Sequence, residues 1–149
     1  MYIKKIELQG FKSFYKRTKI EFHQGVTAIV GPNGCGKSNL VDAIIWALGE
    51  GRLRSLKGER VGEIIFSGTQ KREPSGMAEV TLWIEDKEWE EPLSVGRIIY
   101  RSGESEFRIN GKKVRLKDLQ DELWKRGLGG KDYFAIEQGN IGAIITYKP

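Results

Sequence analysis

The eight residues Gly31-Pro-Asn-Gly-Cys-Gly-Lys-Ser38 constrain the fold of this chain more than any other stretch. They fill every fixed position of the phosphate-loop motif G-x-x-x-x-G-K-[ST]. A short β-branched run, Val26–Val30, comes before the motif and predicts a buried parallel strand. Asn39–Leu48 follows it without glycine or proline and predicts a helix that Gly49 ends. The order strand, glycine loop, helix predicts the phosphate-binding unit of an α/β protein.

The chemistry of this motif favours a bound nucleoside triphosphate. Glycines let backbone N–H groups point at a phosphate without a Cβ in the way, and the helix N-terminus adds the positive end of its dipole. Lys37 is predicted to reach the β- and γ-phosphates, and Ser38 to bind Mg²⁺. Gln138 ends another short apolar stretch, where a glutamine can bind Mg²⁺ and orient water. Without further support, a loop glutamine with no such role is the simpler interpretation.

The rest of the chain predicts mainly antiparallel strands. Residues 2–10 and Thr18–Phe22 alternate apolar and polar side chains and predict a hairpin around the turn Gly10–Phe14. The Asn110-Gly111 pair predicts a second hairpin over Phe107–Val114. Further strands are predicted at Glu63–Phe66, Ala78–Glu85 and Tyr133–Ile136, and another begins at Ile98–Tyr100. A helix is predicted at Leu116–Arg126, with Leu116, Leu119, Leu123 and Trp124 on one face, and a last helix from Ile141.

Composition limits the class of protein. The chain has 149 residues, enough for one domain with a core, and its longest apolar run, Ala43–Leu48, is too short to span a membrane. A single cysteine, Cys35, excludes an internal disulfide, so we expect a reducing cytoplasm. The net charge of +5 is uneven, because residues 61–100 are acidic and both flanking regions are basic. A basic face that meets a nucleic-acid backbone and a mixed solvated surface are both consistent with this pattern.

Several stretches together resemble the N-terminal head segment of bacterial SMC (structural maintenance of chromosomes) proteins. The most specific are Gly10-Phe-Lys-Ser-Phe14 and Asp42-Ala-Ile-Ile-Trp-Ala-Leu-Gly-Glu50. Others are the phosphate loop with its flanks, Ile64–Gly68, Val114–Leu119, Gly127-Leu-Gly129, Gln138-Gly139 and Lys148-Pro149. The resemblance runs almost from end to end. It implies an ABC-type ATPase head lobe of α/β class, with a mixed sheet, an N-terminal antiparallel meander and a central phosphate-loop helix.

The same resemblance implies an incomplete site that needs partners. In SMC proteins a coiled coil and hinge follow this lobe, and a distant C-terminal lobe supplies the signature motif and the catalytic glutamate. No Ser-Gly-Gly signature and no apolar strand ending in Asp-Glu follows residue 66 here. The expected partners are therefore that C-terminal lobe, a second head joined through the hinge as a homodimer, a kleisin-type subunit and DNA, in a nucleoid-associated cytoplasmic protein without a membrane anchor. The isolated chain is expected to bind ATP and to hydrolyse it negligibly.

The resemblance also assigns individual residues. The catalytic set is Lys37, Gln138 and Lys57, of which Lys57 stands where bacterial members often have an arginine that acts on the nucleotide. The Mg²⁺ ligands are Ser38 and Gln138. The ATP-binding set is Lys12, Gly31, Pro32, Asn33, Gly34, Cys35, Gly36, Lys37, Ser38 and Asn39. The DNA-facing set is Arg60, Arg115 and Lys117, for which simple solvation is the alternative.

Three other functions stay open from the sequence. The first is the head of a related double-strand-break repair ATPase, against which the Val114–Leu119 stretch argues. The second is a complete small nucleotide kinase, which would need an acidic metal-binding strand. The third is a DNA-binding module without catalysis, which would not respond to ATP. An isolated half of such a head is also expected to expose an apolar sheet edge.

Overall fold

A computed structural model describes residues 2–22, 36–49 and 64–127 of the chain. This part of the chain folds into one antiparallel sheet with two helices. Its strands are β1 (Tyr2–Gln9), β2 (Thr18–Glu21), β3 (Met77–Glu85), β4 (Leu93–Tyr100), β5 (Ser105–Ile109) and β6 (Lys112–Val114), and its helices are α1 (Gly36–Ala47) and α2 (Leu116–Lys125). The strand order is β2-β1-β3-β4-β5-β6, and each neighbouring pair is antiparallel.

The buried face of the sheet follows from alternation along its strands. On β3, Ala78, Val80, Leu82 and Ile84 are buried while the residues between them are partly exposed. Each such aliphatic side chain contributes roughly 1.5–3 kcal/mol when it leaves water. Helix α1 packs on β3 and β4, and residues 42–49, its second half and the two residues after it, are all buried. This agrees with the prediction from its nearly continuous apolar sequence that it is covered on most sides.

A bulge adjusts β1 so that it joins the same core. The pairing between β1 and β3 shifts between Ile3 and Lys5. Ile3 and Ile6 are both buried although they are three residues apart, a spacing that strict alternation would place on opposite faces. The extra residue of the bulge restores both side chains to the core face.

The turn after β1 requires a glycine. Gly10 has φ +68°, and a Cβ at this position would collide with the backbone carbonyl of Met77. Lys12 also lies in the left-handed region, with φ +47°. Backbone bonds hold the turn on both sides: the Lys12 N–H donates to the Ile64 carbonyl at 2.7 Å, and the Phe66 N–H donates to the Gly10 carbonyl at 2.7 Å. The predicted turn Gly10–Phe14 is therefore confirmed, and it is fixed in one orientation.

Other local predictions are also confirmed. β2 pairs with β1 as the predicted first hairpin. Asn110 and Gly111 have φ +49° and +84° and link β5 to β6, as a type I′ turn requires. α1 ends before Gly49, which has φ +84° and donates its N–H to the Trp46 carbonyl at 3.1 Å. The α/β head fold is confirmed, whereas the predicted strands at 26–30 and 133–136 and the helix from Ile141 lie outside the described residues.

Three predictions need correction. The predicted strand start at Ile98–Tyr100 is the end of β4, because the strand begins at Leu93 and Gly96 hides its apolar pattern. In place of a strand at Glu63–Phe66, the described residues 64–66 form a single bridge from Ile65 to Phe11. Of the four residues predicted to share the apolar face of α2, Leu116 and Trp124 are 40% and 69% exposed, because the helix turns only Leu119 and Leu123 fully toward the core.

The predicted apolar sheet edge does not occur in the described residues. The two outer strands, β2 and β6, carry charged side chains, among them Lys19, Lys112 and Lys113. Charges on outer strands oppose pairing with another chain. In the same part of the chain, neither helix has the length and apolar character needed to cross a membrane.

Candidate nucleotide-binding site

The N-terminal turn of α1 forms the described part of the phosphate-loop site. The helix begins at Gly36, so Lys37, Ser38 and Asn39 belong to its first turn. The first backbone N–H groups of a helix have no partner within it, and they attract anions together with the helix dipole. No acidic residue occurs in this turn. The helix N-terminus therefore has the polarity that a phosphate group needs.

Lys12 lies against the same helix. Its Nζ donates to Oδ2 of Asp42 at 2.7 Å, and the two side chains are only 14% and 10% exposed. Asp42 is the only charged residue classed as buried in the described part of the chain. The turn after β1 thus delivers a lysine, distant in sequence, to the flank of the phosphate-loop helix. The acid-free first turn of α1 is the described feature that suits an anion, while Asp42 balances the charge of the Lys12 ammonium.

The C-terminal end of α1 is held by a cation that the sequence analysis missed. Arg97 on β4 donates from Nη1 to the Trp46 carbonyl at 3.0 Å. Its guanidinium lies 4.6 Å from the Trp46 ring and 4.8 Å from the Phe107 ring, at cation–π distances. Burial lowers the pKa of Arg97 to about 10, so the group remains protonated at neutral pH. A cation is favourable at this end of a helix.

Two of the three predicted DNA-facing residues lie at the start of α2. Arg115 is the residue that caps α2, and its guanidinium pairs with both carboxylate oxygens of Asp118 at 3.1 Å. This pair raises the pKa of Arg115 and lowers the pKa of Asp118. Lys117 is exposed one residue inside the helix. Both cations face solvent, but the charge of Arg115 is balanced by its own helix.

The other predicted site residues lie outside the described part of the chain and stay predictions. They are Gly31, Pro32, Asn33, Gly34, Cys35, Lys57, Arg60 and Gln138. The predicted Mg²⁺ site, Ser38 with Gln138, is therefore also untested. Among residues 2–22, 36–49 and 64–127, no group of three or more His, Cys, Asp or Glu side chains could hold a metal ion.

The fold and the helix define a class of protein, the ABC-type phosphate-loop ATPase head. The sequence matches the family of the RecF/RecN/SMC N terminal domain over residues 2–131. The chain belongs to this family, and the predicted resemblance to SMC heads is confirmed.

Comparison with a curated protein places the chain near the bacterial members. It is 46% identical to the chromosome partition protein Smc of Bacillus subtilis (strain 168) over 153 aligned positions. That alignment covers 99% of this chain and 13% of the Bacillus protein. The chain therefore spans about one eighth of its relative's length.

Solved structures agree on the fold. An SMC head bound to the C-winged helix domain of ScpA matches with a TM-score of 0.84 and 34% identity, covering 100% of this chain and 48% of that one. A chain from a structural study of ATP-driven dimerization and DNA-stimulated activation of SMC ATPases matches with a TM-score of 0.83 and 34% identity. Here the match covers 100% of this chain and 93% of that one.

Proposed function

We propose that residues 1–149 are the N-terminal ATP-binding lobe of a chromosome-segregation ATPase head. The complete phosphate-loop motif, which leads into the buried helix α1, carries the proposal. Lys37 binds the β- and γ-phosphates, backbone N–H groups of residues 31–36 surround them, and Ser38 and Gln138 bind Mg²⁺. Lys12 adds a cation at the flank of the helix. The cofactors are ATP and Mg²⁺.

The proposed site is half of a composite one. The chain corresponds to only 13% of the Bacillus relative, and the sequence contains neither a Ser-Gly-Gly signature nor an apolar strand ending in Asp-Glu after residue 66. The site around the ATP that this lobe holds would be completed by the C-terminal lobe of its own head and by the signature motif of a second head. The γ-phosphate then favours the engaged state because it contacts both heads only there. Lys57 and Arg60 belong to this proposal as predictions.

The binding step is tested by titrating the chain with ATP in the presence of Mg²⁺. Lys37→Ala is expected to weaken binding roughly 10- to 100-fold, because it removes a charged hydrogen-bond donor to phosphate. Lys19→Ala is the matched control, since Lys19 is 52% exposed on the outer strand β2 and should leave the affinity unchanged. Equal ATP affinities for the wild-type chain and Lys37→Ala would contradict the proposal.

DNA is the proposed partner of the surface at the N-terminal end of α2. Lys117 is exposed there, and Lys112 and Lys113 are exposed on β6, the strand just before α2, so this segment offers solvent-facing cations for a basic surface. A related protein was studied for DNA-stimulated activation, which agrees with such a surface. The kleisin-type partner is supported in the same way, by the SMC head bound to ScpA.

The DNA contact is tested by the salt dependence of binding to a short duplex. Removing one phosphate contact with Lys117→Ala should reduce the slope of log affinity against log salt by about 1. Lys87→Ala, an exposed lysine in the acidic connection between β3 and β4, should leave the slope unchanged. If the two variants behave alike, Lys117 is a solvated lysine and the surface lies elsewhere.

A further inference from the structure

Asp42 is a buried acid for which the motif gives no role. It lies on α1, six residues after Gly36, and its carboxylate oxygen Oδ2 accepts the bond from Lys12 Nζ at 2.7 Å. Burying a carboxylate is costly unless a cation and hydrogen bonds compensate it. The Lys12 ammonium compensates the buried carboxylate, and the pair connects the turn after β1 to helix α1.

The placement of Asp42 along α1 brings this ion pair close to the helix N-terminus. At a rise of 1.5 Å per residue, Asp42 is about 9 Å along the axis from Gly36. Helical side chains tilt toward the N-terminus, so the Asp42 carboxylate covers the turn before its own Cα. The Lys12 ammonium is thus held on the flank of α1, between about one and two turns along the helix axis from Gly36.

The backbone under Lys12 is also held in a restricted conformation. A lysine with φ +47° is uncommon and is less stable by about 1 kcal/mol or more than in its usual conformations. It is maintained by the N–H bond to Ile64 and by Phe11, whose ring packs 5.3 Å from the ring of Trp46 on α1. Such strained residues tend to occur at functional sites.

We infer that Asp42 is a positioning residue that anchors the Lys12 ammonium for the nucleotide phosphates. A lysine ammonium has three N–H donors, and the bond to Asp42 uses one of them. Lys12 can therefore bind a phosphate oxygen while it stays paired with Asp42. This inference rests on the proposed ATP-binding function and adds a specific role for a residue outside the phosphate-loop motif.

The direction in which one substitution changes the ATP affinity distinguishes two roles of Asp42, positioning Lys12 for phosphate or competing with phosphate for Lys12. Asp42→Asn keeps the shape of the side chain and removes its charge. If Asp42 positions Lys12, ATP affinity should fall about tenfold, because the ammonium loses its anchor. If Asp42 instead competes with phosphate for Lys12, the affinity should rise. A purely structural role would lower the thermal stability and leave the ATP affinity of the folded protein unchanged.

A double-mutant cycle then assigns the effect to Lys12. ATP affinity is measured with Mg²⁺ by calorimetry for the wild type, Lys12→Ala, Asp42→Asn and the double variant, with unfolding temperatures recorded without nucleotide. In the Lys12→Ala background, Asp42→Asn should no longer weaken binding. An equal tenfold loss in both backgrounds would overturn the inference, as would unchanged or tighter binding by Asp42→Asn alone.

Asp42→Glu keeps the experiment decisive if Asp42→Asn does not fold. Glutamate preserves the ion pair but displaces the ammonium by one methylene, so stability should be retained while ATP affinity falls. Retention of both would contradict positioning. Failure of the proposed function is recognised separately, since the wild-type chain would then bind no ATP, or Lys37→Ala would bind as well as the wild type.

Discussion

Trp46→Ala is expected to lower the free energy of unfolding by about 3–5 kcal/mol, whereas Trp124→Ala should change it by less than about 0.5 kcal/mol. Both residues are tryptophans near the C-terminal end of a helix. Trp46 is 1% exposed in the last turn of α1, and Trp124 is 69% exposed on α2. The comparison therefore isolates burial from residue type and from the helix propensity of alanine.

The contacts of Trp46 explain the size of the expected loss. Its ring packs 5.3 Å from the Phe11 ring and 4.6 Å from the Arg97 guanidinium, so its removal leaves a cavity that two neighbours line. Arg97 binds the backbone carbonyl of Trp46, a bond that survives the substitution. The measured loss thus reports side-chain packing between α1 and the sheet. Because α1 begins at Gly36 of the phosphate-loop motif, this packing also holds the helix that follows the proposed site.

Thermal and urea unfolding measure the difference. For a chain of this size a loss of 3–5 kcal/mol lowers the midpoint by roughly 10–16 °C. Trp46→Phe should cost less, because it retains much of the ring and removes the buried Nε1–H, which has no hydrogen-bond partner in the described part of the chain. Equal stabilities for Trp46→Ala and Trp124→Ala would mean that α1 does not pack on the sheet as described.

Features set by neighbouring residues could be predicted from the sequence. The turn at Asn110-Gly111 follows from the need for two residues with positive φ between short strands. The burial of α1 follows from its nearly continuous apolar sequence. In each case the physical cause acts within a few residues of the chain.

Features set by distant residues could not be predicted in the same way. Lys12 and Asp42 meet across 30 positions, and Arg97 reaches Trp46 across 51. A helical pattern identifies the apolar side of α2, but it does not show whether the sheet covers Trp124. In the structure Trp124 is exposed. Gly96 lies inside β4, where the strand passes close to Thr81. A glycine usually interrupts a strand pattern, so the sequence did not reveal that β4 begins at Leu93. These details depend on the packed sheet.

Negligible hydrolysis by the isolated chain is the second large effect that we expect. In the proposed site the phosphate loop would bind and orient ATP, whereas the residues proposed to activate water and to complete the γ-phosphate site belong to other lobes. Loss of a general base alone reduces a rate about 10²- to 10⁴-fold. Enzymes with a complete site typically turn over at about 1–10³ s⁻¹. The chain alone should therefore fall to the level of a variant that cannot bind ATP.

The most direct test is steady-state ATP hydrolysis by the wild-type chain with Mg²⁺, with Lys37→Ala as the blank. A half-site predicts that the two rates cannot be distinguished, although only the wild type binds ATP. Clear turnover that Lys37→Ala abolishes would show that the 149 residues contain a complete active site, and would contradict the proposal that a C-terminal lobe supplies the rest.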